Sequence, residues 1–277
     1  MVDFDLGIAE IERDFTSYGI PIDSPGFYDH EAFLEIETAN PDYLSNYARL
    51  VSQRNYDTEY LRRARTEIPA IASALHGELL RDGRQGACVD TSGVLSKVLE
   101  QEGYWNYVVK GSLTMDFPAS SGIGRRFFWT IDEGDFAAAH AWVYAPPFTV
   151  VDVTIRQQGY TPEEYALLPE MVLAEKPDLD RGTIEDVIAP DIRGLLHLQR
   201  IPPAMFFHAI NPVLVRFLNA FPACSIIAGE TLLKYVPTAV SAPDCSLEGM
   251  IGLSGQGRDG LAIYKDVILP ALEKLRG

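Results

Sequence analysis

The stretch between residues 86 and 154 constrains this chain most, because a cysteine, a histidine and an aspartate follow one another there at predicted structural boundaries. Cys88 is followed by apolar residues at helical spacing, and Gly103 beyond them has the backbone freedom that commonly ends a helix. The spacing therefore predicts a helix that begins at Cys88. At a helix N-terminus the macrodipole favours a thiolate over a thiol.

The second half of this stretch predicts a β-hairpin that brings His140 and Asp152 together. Segments 140–144 and 148–152 are rich in β-branched and aromatic residues, and the prolines between them cannot continue a strand. A loop over 145–147 would place His140 directly opposite Asp152, with Cβ atoms about 5 Å apart. In that position a carboxylate orients an imidazole and fixes its tautomer. A slip of one residue would put the two side chains on opposite faces.

These residues resemble the core of the transglutaminase-like superfamily of papain-type cysteine enzymes. The similarity covers residues 70–155 and consists of Gly-x-Cys opening a helix, a strand at 107–111, His-Ala-Trp-Val at 140–143 and Val-Asp-x-Thr at 151–154. The resemblance implies that Cys88 is the nucleophile, His140 the base and Asp152 the orienting residue. It also implies an α+β fold with a papain-like core, in which the catalytic helix packs on an antiparallel sheet.

The oxyanion site is only partly specified by this resemblance. Transglutaminases proper use a tryptophan upstream of the cysteine, and this chain has none before Trp105. The backbone N–H of Cys88 can supply one donor, because N–H groups at a helix N-terminus lack partners within the helix. Gln85 is the first candidate for the second donor, although it could equally be a locally bonded loop residue, and Trp142 is a further candidate for oxyanion or substrate contact. Two upstream tyrosines are the remaining alternatives, Tyr56 and Tyr60.

Several reactions share a site of this kind, because the thiolate attacks a carbonyl and forms an acyl-thioester that a second nucleophile resolves. Water gives a peptidase or amidase, an amine gives a transglutaminase, and an acyl-CoA donor gives an arylamine N-acetyltransferase. Segment 84–88 lacks the paired glycines expected before the cysteine of the N-acetyltransferases. We expect hydrolysis or amide exchange on a peptide or amide substrate, proteins included. A non-catalytic scaffold of the same fold is the competing class.

The net charge of the chain and its number of cysteines limit which partners and which cellular compartment are expected. The net charge of −16 argues against binding nucleic acid or an anionic membrane, since both partners are polyanions. Three cysteines are too few for a disulfide framework, and a free nucleophilic thiol fits a reducing cytoplasm. The first residues lack the basic start and apolar run of a signal peptide, so we expect the protein to stay where it is made.

No cofactor or metal ion is expected from the motifs. The segment 255–260 has the spacing Gly-x-Gly-x-x-Gly, but too few residues follow it for the helix, strand and acidic ribose partner of a dinucleotide-binding unit. A turn before the last helix is the simpler interpretation. Asp132, Glu133 and Asp135 are acidic but lack the regular oxygen-ligand spacing of a calcium loop, so no metal is assigned.

Three regions are expected along the chain. Residues 1–55 form an N-terminal arm lying over the catalytic core, which spans residues 56–160. Residues 161–277 form a mainly helical extension packed on that core. Segment 201–240 is the most apolar, but charged residues and prolines interrupt it, which predicts a buried segment rather than a membrane anchor.

Overall fold

An antiparallel sheet that curls into a half-barrel is the framework of the computed structural model, which describes Phe4 and residues 6–132, 139–243 and 245–277. Its strands are β1 (Tyr107–Asp116), β2 (Arg126–Phe128), β3 (His140–Ala145), β4 (Phe148–Asp152), β5 (Val172–Ala174), β6 (Asp178–Asp180), β7 (Ala223–Ala228) and β8 (Thr231–Ser241). They lie in the order β5-β4-β3-β1-β8-β7-β6, and β2 pairs with β1 outside this path. Each pair of these strands runs antiparallel.

Helices cover the sheet and connect its strands. They are α1 (Ile8–Ser17), α2 (Glu31–Ala39), α3 (Leu44–Gln53), α4 (Thr58–Asp82), α5 (Cys88–Gln101), α6 (Pro162–Ala166), α7 (Ile184–Val187), α8 (Pro190–Leu198), α9 (Phe206–Ile210), α10 (Pro212–Ala220), α11 (Gly260–Ile263) and α12 (Leu269–Arg276). The mixed α+β class expected from the sequence is confirmed. Within the described parts of the chain, no helix combines the length and apolarity that crossing a bilayer requires.

Helix α5 begins at Cys88, as the sequence predicts, and packs against β1 and β3. Its inward side chains belong to one apolar cluster with side chains of β3 and β4, and each contributes about 1.5–3 kcal/mol through burial. These helix residues are Val94, Leu95, Val98 and Leu99. The helix ends before Gly103, whose φ of 81° is the left-handed conformation that glycine adopts without strain.

The N-terminal helices pack against the opposite face of the sheet. Phe15 of α1, Phe33 of α2 and Tyr47 of α3 are fully buried in a second cluster that also contains Trp142 of β3 and Tyr235 of β8. The sheet is therefore covered on both faces, with α5 on one side and α1–α3 on the other.

The C-terminal region differs from the expected helical extension, because residues 223–241 form a hairpin of two strands that joins the same sheet. Strand β8 lies beside β1 near the middle of the sheet. The turn is Gly229-Glu230, between the paired residues Ala228 and Thr231, and Gly229 has a φ of 64°. The prediction of a mainly helical extension is wrong here, because the prolines and charges of this segment obscured an alternating strand whose inward residues include Leu233 and Tyr235.

A bulge lets β8 pair with β1 although it contains a proline. Lys110 pairs with Ala239 and Gly111 pairs with Pro237, so β8 has one extra residue at this point and the register shifts. Proline lacks an N–H group and is tolerated within a sheet where the ladder is interrupted in this way. Gly111 is required by the close approach of β8, since a Cβ atom there would lie 2.1 Å from the carbonyl oxygen of Val236.

Candidate active site

Cys88 is the first residue of α5, and the loop before it is fixed to two other parts of the chain. The N–H of Gly86 donates to the carbonyl of Gln157 at 2.7 Å, and the N–H of Arg84 donates to the carbonyl of Leu253 at 3.0 Å. The Cys88 sulfur lies 3.9 Å from the carbonyl oxygen of Ala139, the residue before β3. Only 6% of the surface of Cys88 is exposed. The thiol is therefore held at the start of both α5 and β3.

The hairpin of β3 and β4 forms as predicted, but its register differs from the expected one. Ala145 pairs with Phe148 across a turn of two residues, whereas Val143 pairs with Val151. Between these pairs β4 has two residues and β3 has one, so β4 carries a bulge. The expected three-residue loop is wrong because the bulge and the shorter turn replace it.

The bulge determines that the histidine and the aspartate share a face. With the two-residue turn alone, His140 would lie opposite Val153, and Asp152 would point to the other side of the sheet. The extra residue in β4 returns Asp152 to the face of His140. When the register of the pair Val143 and Val151 is extended, position 154 lies opposite His140, and Asp152 is the diagonal neighbour of His140. The predicted pairing on one face is therefore present, but the predicted direct opposition is wrong.

The carboxylate of Asp152 is fully engaged by hydrogen-bond donors. His140 Nε2 lies 2.6 Å from Asp152 Oδ2, and the Tyr235 hydroxyl donates to the same oxygen at 3.0 Å. The backbone N–H and the hydroxyl of Thr154 donate to Oδ1 at 2.8 Å and 3.0 Å. Asp152, His140 and Thr154 are each only 1% exposed. Because Nε2 is bound to Asp152, Nδ1 is the ring nitrogen that remains for Cys88.

The three side chains shift one another's pKa values. Burial alone would raise the pKa of Asp152, but the charge and hydrogen bond of His140, with the donors of Thr154 and Tyr235, hold it below its ordinary value. Burial alone would lower the pKa of His140, but the Asp152 carboxylate raises it, and Cys88 adds to this effect. Burial likewise opposes ionisation of Cys88, yet its interaction with His140 lowers the thiol pKa. The arrangement favours a thiolate, an imidazolium and a carboxylate in a row.

The residues predicted to complete the oxyanion site lie in different environments. Gln85 is exposed, and among the described residues its side chain has no hydrogen-bond partner. Trp142 is 2% exposed and packs edge-on against Tyr235 with ring centroids 5.1 Å apart, so it supports the site from within the core. Its role as an oxyanion or substrate residue stays a prediction, since His140 is equally buried.

The two upstream tyrosines are committed elsewhere. The Tyr56 hydroxyl donates to the carbonyl of Val51 at 2.7 Å, and the Tyr60 hydroxyl accepts from the N–H of Trp105 at 3.0 Å. Their rings stack on each other with centroids 4.6 Å apart. The proton of Tyr56 is therefore committed to Val51, and Tyr60 lies against Tyr56 and Tyr104, with its ring centroid 5.8 Å from that of Tyr104.

Sequence reasoning missed two tyrosines beside the triad. Tyr235 donates to Asp152 from β8, a strand that the sequence pattern did not predict. Tyr160 follows β4, and its ring packs edge-on against Phe128 of β2, whose ring centroid is 6.2 Å from that of His140. The Gly229 turn could have indicated the hairpin that carries Tyr235. No local signal marks Tyr160.

Two cavities of about 360 Å³ each flank the N-terminus of α5. One is lined by Gln85, Tyr160 and Tyr165 together with parts of the 156–162 loop. The other is lined by Val89 and Lys110, with the 249–253 loop opposite. Across the described residues, no cluster of three or more His, Cys, Asp or Glu side chains could hold a metal ion.

Comparison with known proteins found no relative of this chain. The chain matches no family model, no curated protein and no solved structure.

Proposed function

We propose that the chain is a cysteine-dependent acyl-transfer enzyme, with Cys88 as nucleophile, His140 as base and Asp152 as orienting residue. The 2.6 Å contact between His140 Nε2 and Asp152 Oδ2 carries this proposal, because it leaves Nδ1 for a thiol at a helix N-terminus. His140 and Asp152 are each 1% exposed, and burying a charged pair to this degree costs free energy. Buried ionisable pairs with shifted pKa values are concentrated at functional sites.

The residues can perform both halves of an acyl transfer. The thiolate attacks the carbonyl carbon, a C–S bond forms, and the electron pair of the C=O π bond moves to oxygen. When the C=O bond re-forms, the C–N bond of an amide breaks and His140 gives a proton to the departing amine. In the second half His140 takes a proton from water or an amine, which attacks the thioester and releases Cys88. Asp152 keeps the imidazole oriented and stabilises its charged form throughout.

The substrate class we propose is a peptide or amide, including amides of protein side chains, and no cofactor is required by this chemistry. The transglutaminase-like resemblance supports this class through the pattern around Cys88, His140 and Asp152. A papain-like arrangement of α5 on the sheet is part of the same proposal. A free nucleophilic thiol suits the reducing conditions of the cytoplasm.

Acylation by p-nitrophenyl acetate tests this proposal without knowledge of the natural substrate. We expect a burst of p-nitrophenolate and one acetyl group, which peptide mapping places on Cys88. Cys88→Ala, which removes little volume, should abolish both. The 6% exposure of Cys88 is the observation that favours the scaffold alternative. Absence of a burst, together with alkylation of Cys88 no faster than that of an ordinary thiol, would establish that alternative.

The acceptor and the donor can then be separated with the acetylated enzyme. A primary amine that collects the acetyl group faster than water indicates a transferase, whereas release of acetate alone indicates a hydrolase. Acetylation of Cys88 by acetyl-CoA, without cleavage of any amide, would instead support the arylamine N-acetyltransferase alternative.

A further inference from the structure

The hydroxyl of Tyr160 is buried and has no hydrogen-bond partner among the described residues. It is one of seven buried side-chain atoms without a partner among the described residues, whereas buried hydroxyls in folded proteins are nearly always paired. Tyr160 lies at the end of the loop that follows Asp152, immediately before Thr161, which caps α6. Its backbone is fixed there by a hydrogen bond from the Tyr160 N–H to the carbonyl of Gln158, at 2.9 Å. An unpaired hydroxyl on a fixed backbone suggests that its partner is a ligand.

Tyr160 is held beside the triad by its aromatic neighbours. Its ring meets the ring of Phe128 edge-on, with centroids 6.0 Å apart, and Phe128 in turn lies 6.2 Å from His140. The guanidinium of Arg126 lies 5.9 Å from the centre of the Tyr160 ring. Contacts on two sides restrict the ring and therefore the position of its hydroxyl.

The electrostatic surroundings connect this hydroxyl to the nucleophile. Burial raises the pKa of Tyr160 well above its ordinary value, and the negative charges of Asp152, Glu164 and Cys88 add to the increase. The phenol consequently keeps its proton and can act only as a hydrogen-bond donor toward a developing negative charge. The charge on Cys88 is the smallest of these contributions, and the positive charge of Arg126 opposes them.

Tyr160 also lines a cavity that reaches the loop before the nucleophile. This cavity of about 360 Å³ includes Gln85, and the N–H of Gly86 is bonded to Gln157 on the same wall. The cavity therefore borders both Tyr160 and Gln85, which lies three residues before Cys88.

We propose that the Tyr160 hydroxyl is the second oxyanion donor of the site, acting with the backbone N–H of Cys88. This inference rests on the proposed acyl-transfer function. When the thiolate adds to the carbonyl, the oxygen receives the π electrons and accepts hydrogen bonds from both groups. When the C=O bond re-forms and the leaving group departs, Tyr160 retains its proton. Tyr160 is thus a catalytic residue that touches the reacting oxygen, in the role for which Gln85 was the first candidate.

Two reagents separate an oxyanion donor from a residue that merely supports the thiolate. Iodoacetamide alkylates Cys88 by displacement at a saturated carbon, so no oxyanion forms and the rate reports only the thiolate. Acylation by p-nitrophenyl acetate passes through a tetrahedral oxyanion on the same sulfur. For Tyr160→Phe we expect an alkylation rate within about twofold of the wild type, and an acylation rate lower by about 10²-fold, as when an oxyanion donor is removed.

Tyr165→Phe is the matched control, since Tyr165 lines the same cavity but is 40% exposed. It should leave both rates unchanged. Tyr160→Phe should also keep the wild-type melting temperature, because the hydroxyl that it removes has no partner to lose.

Each other outcome overturns the inference. Unchanged acylation by Tyr160→Phe excludes the donor role while leaving the proposed function intact. Equal slowing of alkylation and acylation makes Tyr160 a positioning residue for the thiolate. A marked fall in the melting temperature shows that the hydroxyl has a structural partner. If wild-type Cys88 is neither acylated nor rapidly alkylated, the proposed function fails and the oxyanion role fails with it.

Discussion

Replacing Asp152 with asparagine removes one negative charge from the site while keeping the shape of the side chain. In the native site, Thr154 donates twice to Oδ1, and His140 and Tyr235 donate to Oδ2. Asparagine has one acceptor oxygen and one NH₂ group, so in either orientation the NH₂ group faces two groups that donate in the native site. The substitution therefore changes the hydrogen bonding of its neighbours.

The amide oxygen should stay toward Thr154, because the backbone N–H of Thr154 can only donate, whereas His140 can change its tautomer. The NH₂ group then faces His140 Nε2, which must lose its proton in order to accept. The proton of the neutral ring moves to Nδ1, the nitrogen that remains for Cys88. A protonated Nδ1 cannot take the thiol proton, so the base is blocked in the neutral state.

The pKa values change in a definite direction. Burial lowers the pKa of His140 and Asp152 raises it, so removal of the carboxylate leaves burial dominant and the ring neutral. Cys88 then loses the imidazolium, which contributes most to lowering its pKa. The repulsion between Asp152 and the thiolate also disappears, but it is a smaller cause than either contribution of His140. The pKa of Cys88 should consequently rise toward or above that of an ordinary thiol.

Alkylation by iodoacetamide between pH 5 and pH 9 measures this change. An ordinary thiol with a pKa of about 8.5 is roughly 0.3% ionised at pH 6, so Asp152→Asn should label more slowly than the wild type at that pH, by up to about 10²-fold relative to a full thiolate. In the wild type, fast labelling should persist below the ordinary thiol pKa and disappear only as the pH falls through the lowered one. Acyl transfer should fall by about 10³–10⁴-fold, the size expected when an orienting carboxylate becomes an amide.

The control is Asp178→Asn, an exposed aspartate in β6, which should leave the profile unchanged. Circular dichroism and thermal melting establish that both variants fold. An alkylation profile for folded Asp152→Asn that coincides with the wild-type profile would refute the role assigned to this carboxylate and the pKa coupling on which the proposed function depends.

Two further predictions concern thiol selectivity and the sheet. Near pH 6, iodoacetamide should label Cys88 first. Cys224 should stay unlabelled in the folded protein, because burial raises its pKa to about 12. Peptide mass mapping over time checks this, and equal slow labelling of both thiols would count against an activated nucleophile. In urea titrations, Gly111→Ala should lower the free energy of unfolding by about 3 kcal/mol or more, because the added Cβ would overlap the Val236 carbonyl. Gly124→Ala is the control, since Gly124 has open space around it, and it should change the free energy of unfolding by less than about 1 kcal/mol.

The parts of the site that the sequence predicted correctly are encoded over short distances. The start of α5 follows from apolar spacing after Cys88, and its end follows from Gly103, whose φ is 81°. The hairpin follows from two strand-like segments around the prolines. Each of these signals lies within about 15 residues, which is the range over which local propensity and capping act.

The register of the hairpin could not be predicted from the same segments. A two-residue turn with a bulge and a three-residue loop both place His140 and Asp152 on one face, so the requirement for a shared face does not choose between them. The choice depends on how β4 packs against β5 and on the pairing of Val143 with Val151. The partners of β4 in β5, residues 172–174, lie beyond the hairpin.

The strands of the C-terminal region were missed for a related reason. Pro237 argues against a central strand when the sequence is considered alone, but the bulge opposite Gly111 accommodates it. The pairing that allows this joins residues more than a hundred positions apart, and no local pattern encodes it. The donor from Tyr235 to Asp152 depends on that same long-range pairing.

This pairing also determines what the C-terminal region contributes to the proposed chemistry. Strand β8 pairs with β1 in the middle of the sheet. Its residue Tyr235 donates one of the hydrogen bonds that keep the Asp152 carboxylate ionised, although Asp152 is only 1% exposed. Without β8, burial would oppose that charge with one fewer compensating interaction, and the pKa of Asp152 would rise. The imidazolium and the thiolate depend in turn on this charge, so ionisation of Cys88 is linked to a strand that begins more than a hundred residues after it. Through Tyr235, the region 161–277 therefore contributes directly to the surroundings of Asp152.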